Sequence, residues 1–175
     1  RSQKTASTSI DVFLSAYCGE EDIITVMPED TPEWHRARNY GLLNNNHLPA
    51  VLVRDYIGNE IFNDYYKFTS IRNPLDKMLS CYFWWRKMPH LGPSVRPLDH
   101  SFSNWIEYYG FEHDLAIFHK PYYKVYEEII ADDYIRYESL ELDLQRICGV
   151  LGLEYDEKYL LHYKKMSRND VEITT

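Results

Sequence analysis

The sequence predicts a single α/β domain with a mainly parallel central sheet, and three observations carry that expectation. The chain of 175 residues is 45% hydrophobic and 26% charged, as one globular domain is and as a disordered, collagenous or coiled-coil chain is not. Apolar residues at helical spacing alternate along it with short β-branched or aromatic runs, the order that builds a parallel sheet with helices packed on it. The clearest run, Tyr65 to Ile71, leads directly into Arg72-Asn73-Pro74 and a new helical stripe, so a strand passes to a helix through a strong start signal.

The elements follow in order. Arg1 to Ser9 reads as a strand end and a polar loop. From about Thr8 to Cys18 a helix is expected, because Ile10, Phe13, Leu14 and Tyr17 recur at helical spacing, and Gly19 is placed to cap it. Asp22 to Met27 reads as a short strand ended by Pro28. The stretch to Asn46 is polar and turn-rich, with room for a short helix. Pro49 to Ile57 is a helix with proline in its first turn, ended by Gly58. After the Tyr65 strand, Asn73 is the N-cap and Pro74 the first residue of a helix striped by Leu75, Met78, Leu79, Tyr82 and Phe83. Met88 to Phe102 holds three prolines and no periodicity, so it reads as a long surface loop. Ser103 to Tyr109 is expected to be helical and Tyr134 to Tyr137 a short strand. Ser139 then caps a helix with Leu140, Leu144, Ile147 and Leu151 on one face, closed by Gly152. The tail from Glu157 to Lys165 looks helical and ends basic, with Lys164, Lys165 and Arg168. The abrupt start leads us to expect one domain, residues 1–175, that lacks part of a first strand before residue 1.

Composition excludes several functions. Nineteen basic against 27 acidic side chains give a net charge of −8, opposite to the basic excess of a general nucleic-acid or anionic-membrane binder. The apolar runs are too short for a membrane span. Cys18, Cys81 and Cys148 are odd in number and lack any C-x-x-C spacing, so neither a disulfide scaffold nor a zinc ribbon is expected. Seven histidines are scattered without ligand spacing, so no metal is expected. With no signal peptide and no glycosylation sequon, the expected compartment is the cytoplasm; a lumenal domain trimmed of its N-terminus is the alternative.

Two constellations carry chemistry. Lys4-Thr5-Ala6-Ser7-Thr8-Ser9 stands at a strand-to-helix junction, where backbone N–H groups and the helix dipole favour an anion. Hydroxyls of Ser7, Thr8 and Ser9 add donors, and Lys4 adds a cation at the mouth. The plain alternative is a Ser/Thr cap on a surface helix. Arg72 closes a strand, on the side where open α/β sheets bind ligands, and Ser80 follows on the same helix face as Asp76. Guanidinium and hydroxyl together suit a phosphate monoester. Here the alternative is an arginine paired with a surface carboxylate.

These residues resemble a known family. Lys4-Thr5-Ala6-Ser7-Thr8-Ser9 is similar to the 5′-phosphosulfate loop of sulfotransferases that use 3′-phosphoadenosine 5′-phosphosulfate (PAPS). Arg72-Asn73-Pro74 with Ser80 and Tyr82 resembles their 3′-phosphate motif, R-x-P-x-x-x-x-x-S-x-Y. Tyr65 to Pro74, and Tyr134-Ile135-Arg136-Tyr137-Glu138-Ser139-Leu140 with Leu151-Gly152-Leu153, look like blocks of the Golgi carbohydrate branch and its bacterial relatives. The likeness runs from Lys4 to about Arg168. It implies a P-loop-like three-layer fold, with a mainly parallel central sheet flanked by helices. It also implies roles: Lys4 on the bridging oxygen and sulfonate, Thr5, Ala6, Ser7, Thr8 and Ser9 on the 5′-phosphate, and Arg72 and Ser80 on the 3′-phosphate. Ser167 and Arg168 would stand in a late basic segment near the nucleotide. Two departures are visible. Gln3 occupies the place of a usual proline, and Ala6-Ser7 replaces two glycines without removing a donor.

Sulfonate transfer needs a base for the acceptor hydroxyl or amine, and a neutral His suits that in pKa. His47, in Asn46-His47-Leu48-Pro49-Ala50, is the first choice, because several carbohydrate sulfotransferases resemble this with a His in H-x-x-A. A helix-capping role is its alternative. His35 and Glu33 come next, and His119 is a further candidate or an acceptor contact. Trp84, Trp85, Arg86, Lys87, His90 and Arg96 form the expected rim for a small-molecule or glycan acceptor. The reading is therefore a PAPS-dependent sulfotransferase that needs no metal, acting on a hydroxyl or amine, with carbohydrate first. A small-molecule P-loop kinase, or a degenerate relative that only binds nucleotide, is the alternative.

Overall fold

The computed structural model describes residues 2–27, 30–43, 47–86, 101–107, 124–125 and 128–163. In chain order its elements are α1 (Ser7–Ser15), α2 (Ala50–Ile57), α3 (Asn59–Asp64), β1 (Phe68–Ile71), α4 (Pro74–Arg86), α5 (Phe102–Trp105), β2 (Lys124–Val125), β3 (Glu128–Ile129), β4 (Asp133–Arg136) and α6 (Leu140–Leu151). β1 pairs in parallel with β4, Phe68 opposite Asp133 through Ile71 opposite Arg136. β2 and β3 form a small antiparallel pair. The described residues thus form a mixed helix-and-strand fold with a small parallel pair, compatible with the α/β class. Among the described residues that sheet has two strands.

Apolar faces explain the packing. Ile10 and Phe13 of α1, Ile135 of β4, Leu144, Ile147 and Cys148 of α6, and Leu160 form the main buried cluster. Those α1 and α6 residues recur every three or four positions, so each helix turns one stripe inward. α4 and α5 share a second cluster of Cys81, Tyr82, Phe83 and Trp105. Ala50 of α2 and Phe62 of α3 centre a third.

Several expectations need correction. The strand expected over Asp22 to Met27 is only a single bridge between Ile24 and Arg38, because neighbouring Ile23 and Val26 face solvent and find no partner strand among the described residues. α1 stops at Ser15, and Ala16, Tyr17 and Cys18 continue as i→i−3 turns. Gly19 therefore is not its cap; its N–H donates to Asp22 instead, at 2.6 Å. α3 was not anticipated, since six residues are too few to show a period. In α4, Asn73 Oδ1 accepts from Leu75 and Asp76 N–H as an N-cap should. The stripe differs: Leu75 is 68% exposed and Lys77 only 5%. The tail holds one 3-10 turn, Glu157–Tyr159, rather than a helix up to residue 163. Met88 to His100, Tyr108, Tyr109 and Lys164 onward lie outside the described residues.

An ion-pair ladder joins β4 to α6. Buried Asp143 accepts from the Arg136 backbone N–H at 2.7 Å and from Nε and Nη2 at 2.9 and 2.8 Å. Arg146 donates to the Tyr134 carbonyl at 2.8 Å and pairs with Asp133, which also accepts from Tyr66. The Arg136 side-chain bond, foremost, holds the Asp143 carboxyl down to about 2. Its folded-state pKa lies below the unfolded one, so its contribution is present above about pH 4 and is lost as pH falls toward 2. Asp143→Asn is expected to cost roughly 2–3 kcal/mol at pH 7 and to flatten stability between about pH 4 and 2. Urea midpoints of both proteins across that range check it.

Candidate anion-binding site

The site begins at a strained loop. Lys4 and Ala6 both adopt φ 60°, the left-handed region that costs a non-glycine residue roughly 1–2 kcal/mol. Ala6 is also the N-cap of α1, without a side-chain cap bond, and Ser7 is the first helical residue. A left-handed residue followed by a helical one turns successive N–H groups to one side, forming an anion nest. Ser7, Thr8 and Ser9 supply first-turn N–H groups that have no intrahelical acceptor, and no carboxylate stands in that turn.

Hydroxyl bonds hold the loop against β1. The Thr5 hydroxyl donates to the Ser2 carbonyl at 3.2 Å and so accepts from Ser70 at 2.6 Å. Ser2 and Thr69 hydroxyls meet at 3.2 Å. Thr5 is fully buried. Its side chain is therefore an anchor, and only its backbone N–H is left to serve a phosphate. Ser9 Oγ accepts from the Tyr163 N–H at 3.1 Å, which ties the late chain to the first turn of α1.

The strand ends bring in the second constellation. The register that sets Ile71 beside Arg136 sets Arg72 beside Tyr137, and the guanidinium lies 3.7 Å from that ring's centroid. Arg72 Nε donates to Asp76 Oδ2 at 2.7 Å, Nη2 pairs with the same oxygen at 2.6 Å, and Nη1 donates to the Lys4 carbonyl at 3.1 Å. Glu138 accepts from the Asn73 N–H at 2.7 Å. The structure thus joins Lys4, Thr5, Ala6, Ser70 and Arg72 at the C-terminal end of β1. Lys4 Nζ reaches across to α4, 5.3 Å from the Trp84 ring centroid.

No family model, curated protein or solved structure matches the chain.

The remaining candidates stand as follows. Ser80 is half-buried on α4, whereas the described partners of Arg72 are Asp76, Lys4 and Tyr137. His47 is half-buried three residues ahead of α2, whose N-cap is Pro49. His35 is buried, with Nδ1 2.9 Å from Ser15 Oγ. Ser15 ends α1, and eight residues at 1.5 Å each put it about 12 Å along the axis from the loop. His35 is therefore a packing residue at the far end of that helix. Glu33 is exposed. Trp84 and Arg86 lie on α4, with Arg86 donating to Tyr82 Oη at 2.9 Å. Ser167, Arg168, His119, Lys87, His90, Arg96 and the Trp85 side chain lie outside the described residues.

Lys77 is a buried cation of α4 that the sequence reading missed. It is buried, and burial brings its ammonium down to about 8. Burial pushes the Cys81 thiol up, against the pull of Lys4, Lys77 and Arg72. The signal was there: Lys77, Cys81 and Trp84 fall on one helical face at i, i+4 and i+7. No helix among the described residues is long and apolar enough to cross a membrane, and they hold no cluster of three or more His, Cys, Asp or Glu fit for a metal.

Proposed function

We propose that this chain is a PAPS-dependent sulfotransferase acting on a hydroxyl or amine acceptor, with carbohydrate as the first class to test. One observation carries the reading. A Lys-Thr-Ala-Ser-Thr-Ser loop with two left-handed non-glycine residues opens α1 and is bonded to the arginine that ends β1. Strain of that kind persists only where surrounding contacts over-determine it, and it gathers at ligand sites. Its chemistry is anion capture, and the two clusters of donors suit a nucleotide phosphorylated at two places.

The roles follow from the residues. PAPS supplies an activated sulfonate. The acceptor oxygen or nitrogen bonds to sulfur as the S–O bond to the nucleotide breaks, with His47 taking the acceptor's proton and Lys4 balancing charge on the departing phosphate. Backbone N–H groups of Thr5 to Ser9 hold the 5′-phosphate. Arg72, with Ser80 one helical face along, reads the 3′-phosphate, and Ser167 and Arg168 belong to the basic segment beside the nucleotide. The finer fold proposed is a P-loop-like three-layer domain built outward from the β1–β4 pair. Lysine and backbone donors do the work that a metal does in P-loop kinases.

Two measurements test this. Radiolabelled sulfonate transfer from PAPS to a panel of sugars, glycans, phenols and peptides should find an acceptor. Calorimetry should show adenosine 3′,5′-bisphosphate binding at least about tenfold more tightly than 5′-AMP, the worth of one charge-assisted bond. Arg72→Ala should bring that ratio close to one. It should also weaken both nucleotides somewhat, because Nη1 supports the Lys4 carbonyl. Equal binding of the two nucleotides by the unaltered protein would remove the 3′-phosphate assignment.

A further inference from the structure

Arg72 reaches the strand end already carrying a counter-charge. A guanidinium has five N–H donors. Two are engaged in hydrogen bonds, Nε with Asp76 Oδ2 at 2.7 Å and Nη1 with the Lys4 carbonyl at 3.1 Å, and Nη2 forms an ion pair with the same Asp76 oxygen at 2.6 Å. Tyr137 covers one face of the plane at 3.7 Å. The Arg72 side chain is 6% exposed and that of Asp76 27%. A phosphate arriving here has two ways in. It takes the N–H groups left at the outer end of the guanidinium, or it displaces Asp76 from the side edge. By either route it comes within about the width of one guanidinium of the Asp76 carboxylate. That repulsion grows with the charge of the ligand and is weakly screened where water is excluded. An anion that touches only the loop and the first turn of α1 meets far less of it.

We propose that Asp76 is a specificity-determining residue of the anion site: held by Arg72, its carboxylate disfavours a dianionic phosphate monoester at the end of β1 relative to an anion bound by the loop alone. The inference rests on the sulfotransferase reading above, in which Arg72 meets the nucleotide's 3′-phosphate. Asp76 acts there through charge and through Arg72, as a positioning residue.

Asp76→Asn separates the two effects. The amide keeps the size and one acceptor, so Arg72 stays placed while the negative charge goes. Calorimetry with adenosine 3′,5′-bisphosphate and with 5′-AMP reads the outcome, on the unaltered chain and on Asp76→Asn, Asp76→Ser and Asp76→Glu. Asp76→Asn is expected to raise affinity for the bisphosphate about tenfold and to move 5′-AMP less than about twofold, as loss of a nearby repulsive charge dictates. Asp76→Glu should keep the original ratio, because it keeps the charge. A purely structural role would weaken both nucleotides together, lower the melting temperature and leave the ratio alone, which overturns the proposal. Asp76→Ser supplies the same comparison should the amide fail to fold. If the unaltered protein prefers the bisphosphate and Asp76→Asn does not strengthen that preference, this inference falls and the sulfotransferase reading stands. If neither protein distinguishes the two nucleotides, both fall.

Discussion

Lys4→Ala is expected to lower sulfonate transfer about 10²–10³-fold, the usual loss when one preorganised donor to a developing charge is removed. The expectation comes from where the backbone aims the side chain. Lys4 is left-handed, its carbonyl is held by Arg72, and its ammonium lies over Trp84 on the opposite wall. Lys4 also lies two residues ahead of the Ala6–Ser7 turn that opens α1, where the proposed reading puts the leaving phosphate. The same change should weaken 3′,5′-bisphosphate and 5′-AMP alike, since both would place a phosphate on this loop. Stability should hold, because the Thr5 and Ser70 bond and the Ser2 and Thr69 bond keep the loop in place. Single-turnover rates, nucleotide titrations and a thermal melt check the three parts. Transfer at the unaltered rate would show that the loop binds without Lys4 assisting departure.

His47→Ala is expected to cut turnover by about two to four orders of magnitude, the typical worth of general acid–base catalysis, with nucleotide affinity unchanged. His47 is half-buried, ahead of α2. In that reading His35 is the weaker candidate, because its ring lies against Ser15 at the far end of α1. Turnover and nucleotide titration on the same variant decide the matter. A variant that turns over normally would make His47 a helix-entry residue and move the search for the base to exposed Glu33.

Much of the site was legible because its signals are local. Asn73 and Pro74 announce the start of α4 through capping chemistry and a fixed φ, and both do so as written. Gly152 ends α6 in the left-handed conformation, as a glycine after a periodic run predicts. The Tyr65 run was too long by three residues, since β1 begins at Phe68 and strand edges depend on where the partner strand stops. The Asp22 strand failed for the same reason: a β-prone run is no strand without a neighbour to complete its hydrogen bonds.

Composition, helix periods and cap residues determined by themselves that this chain is a mixed α/β protein, with a polar loop before its first helix and an arginine at a strand end. They could do so because each is written within a few residues. What the tertiary structure decided involves residues far apart in the chain. The parallel register brings Tyr137 over Arg72. The fold turns the Thr5 hydroxyl inward to Ser70, buries Lys77 beside Cys81, and gives Arg72 both a carbonyl of the loop and the carboxylate of Asp76. A guanidinium takes whichever acceptors the packing presents, and long-range packing is a property of the folded chain that no local window contains.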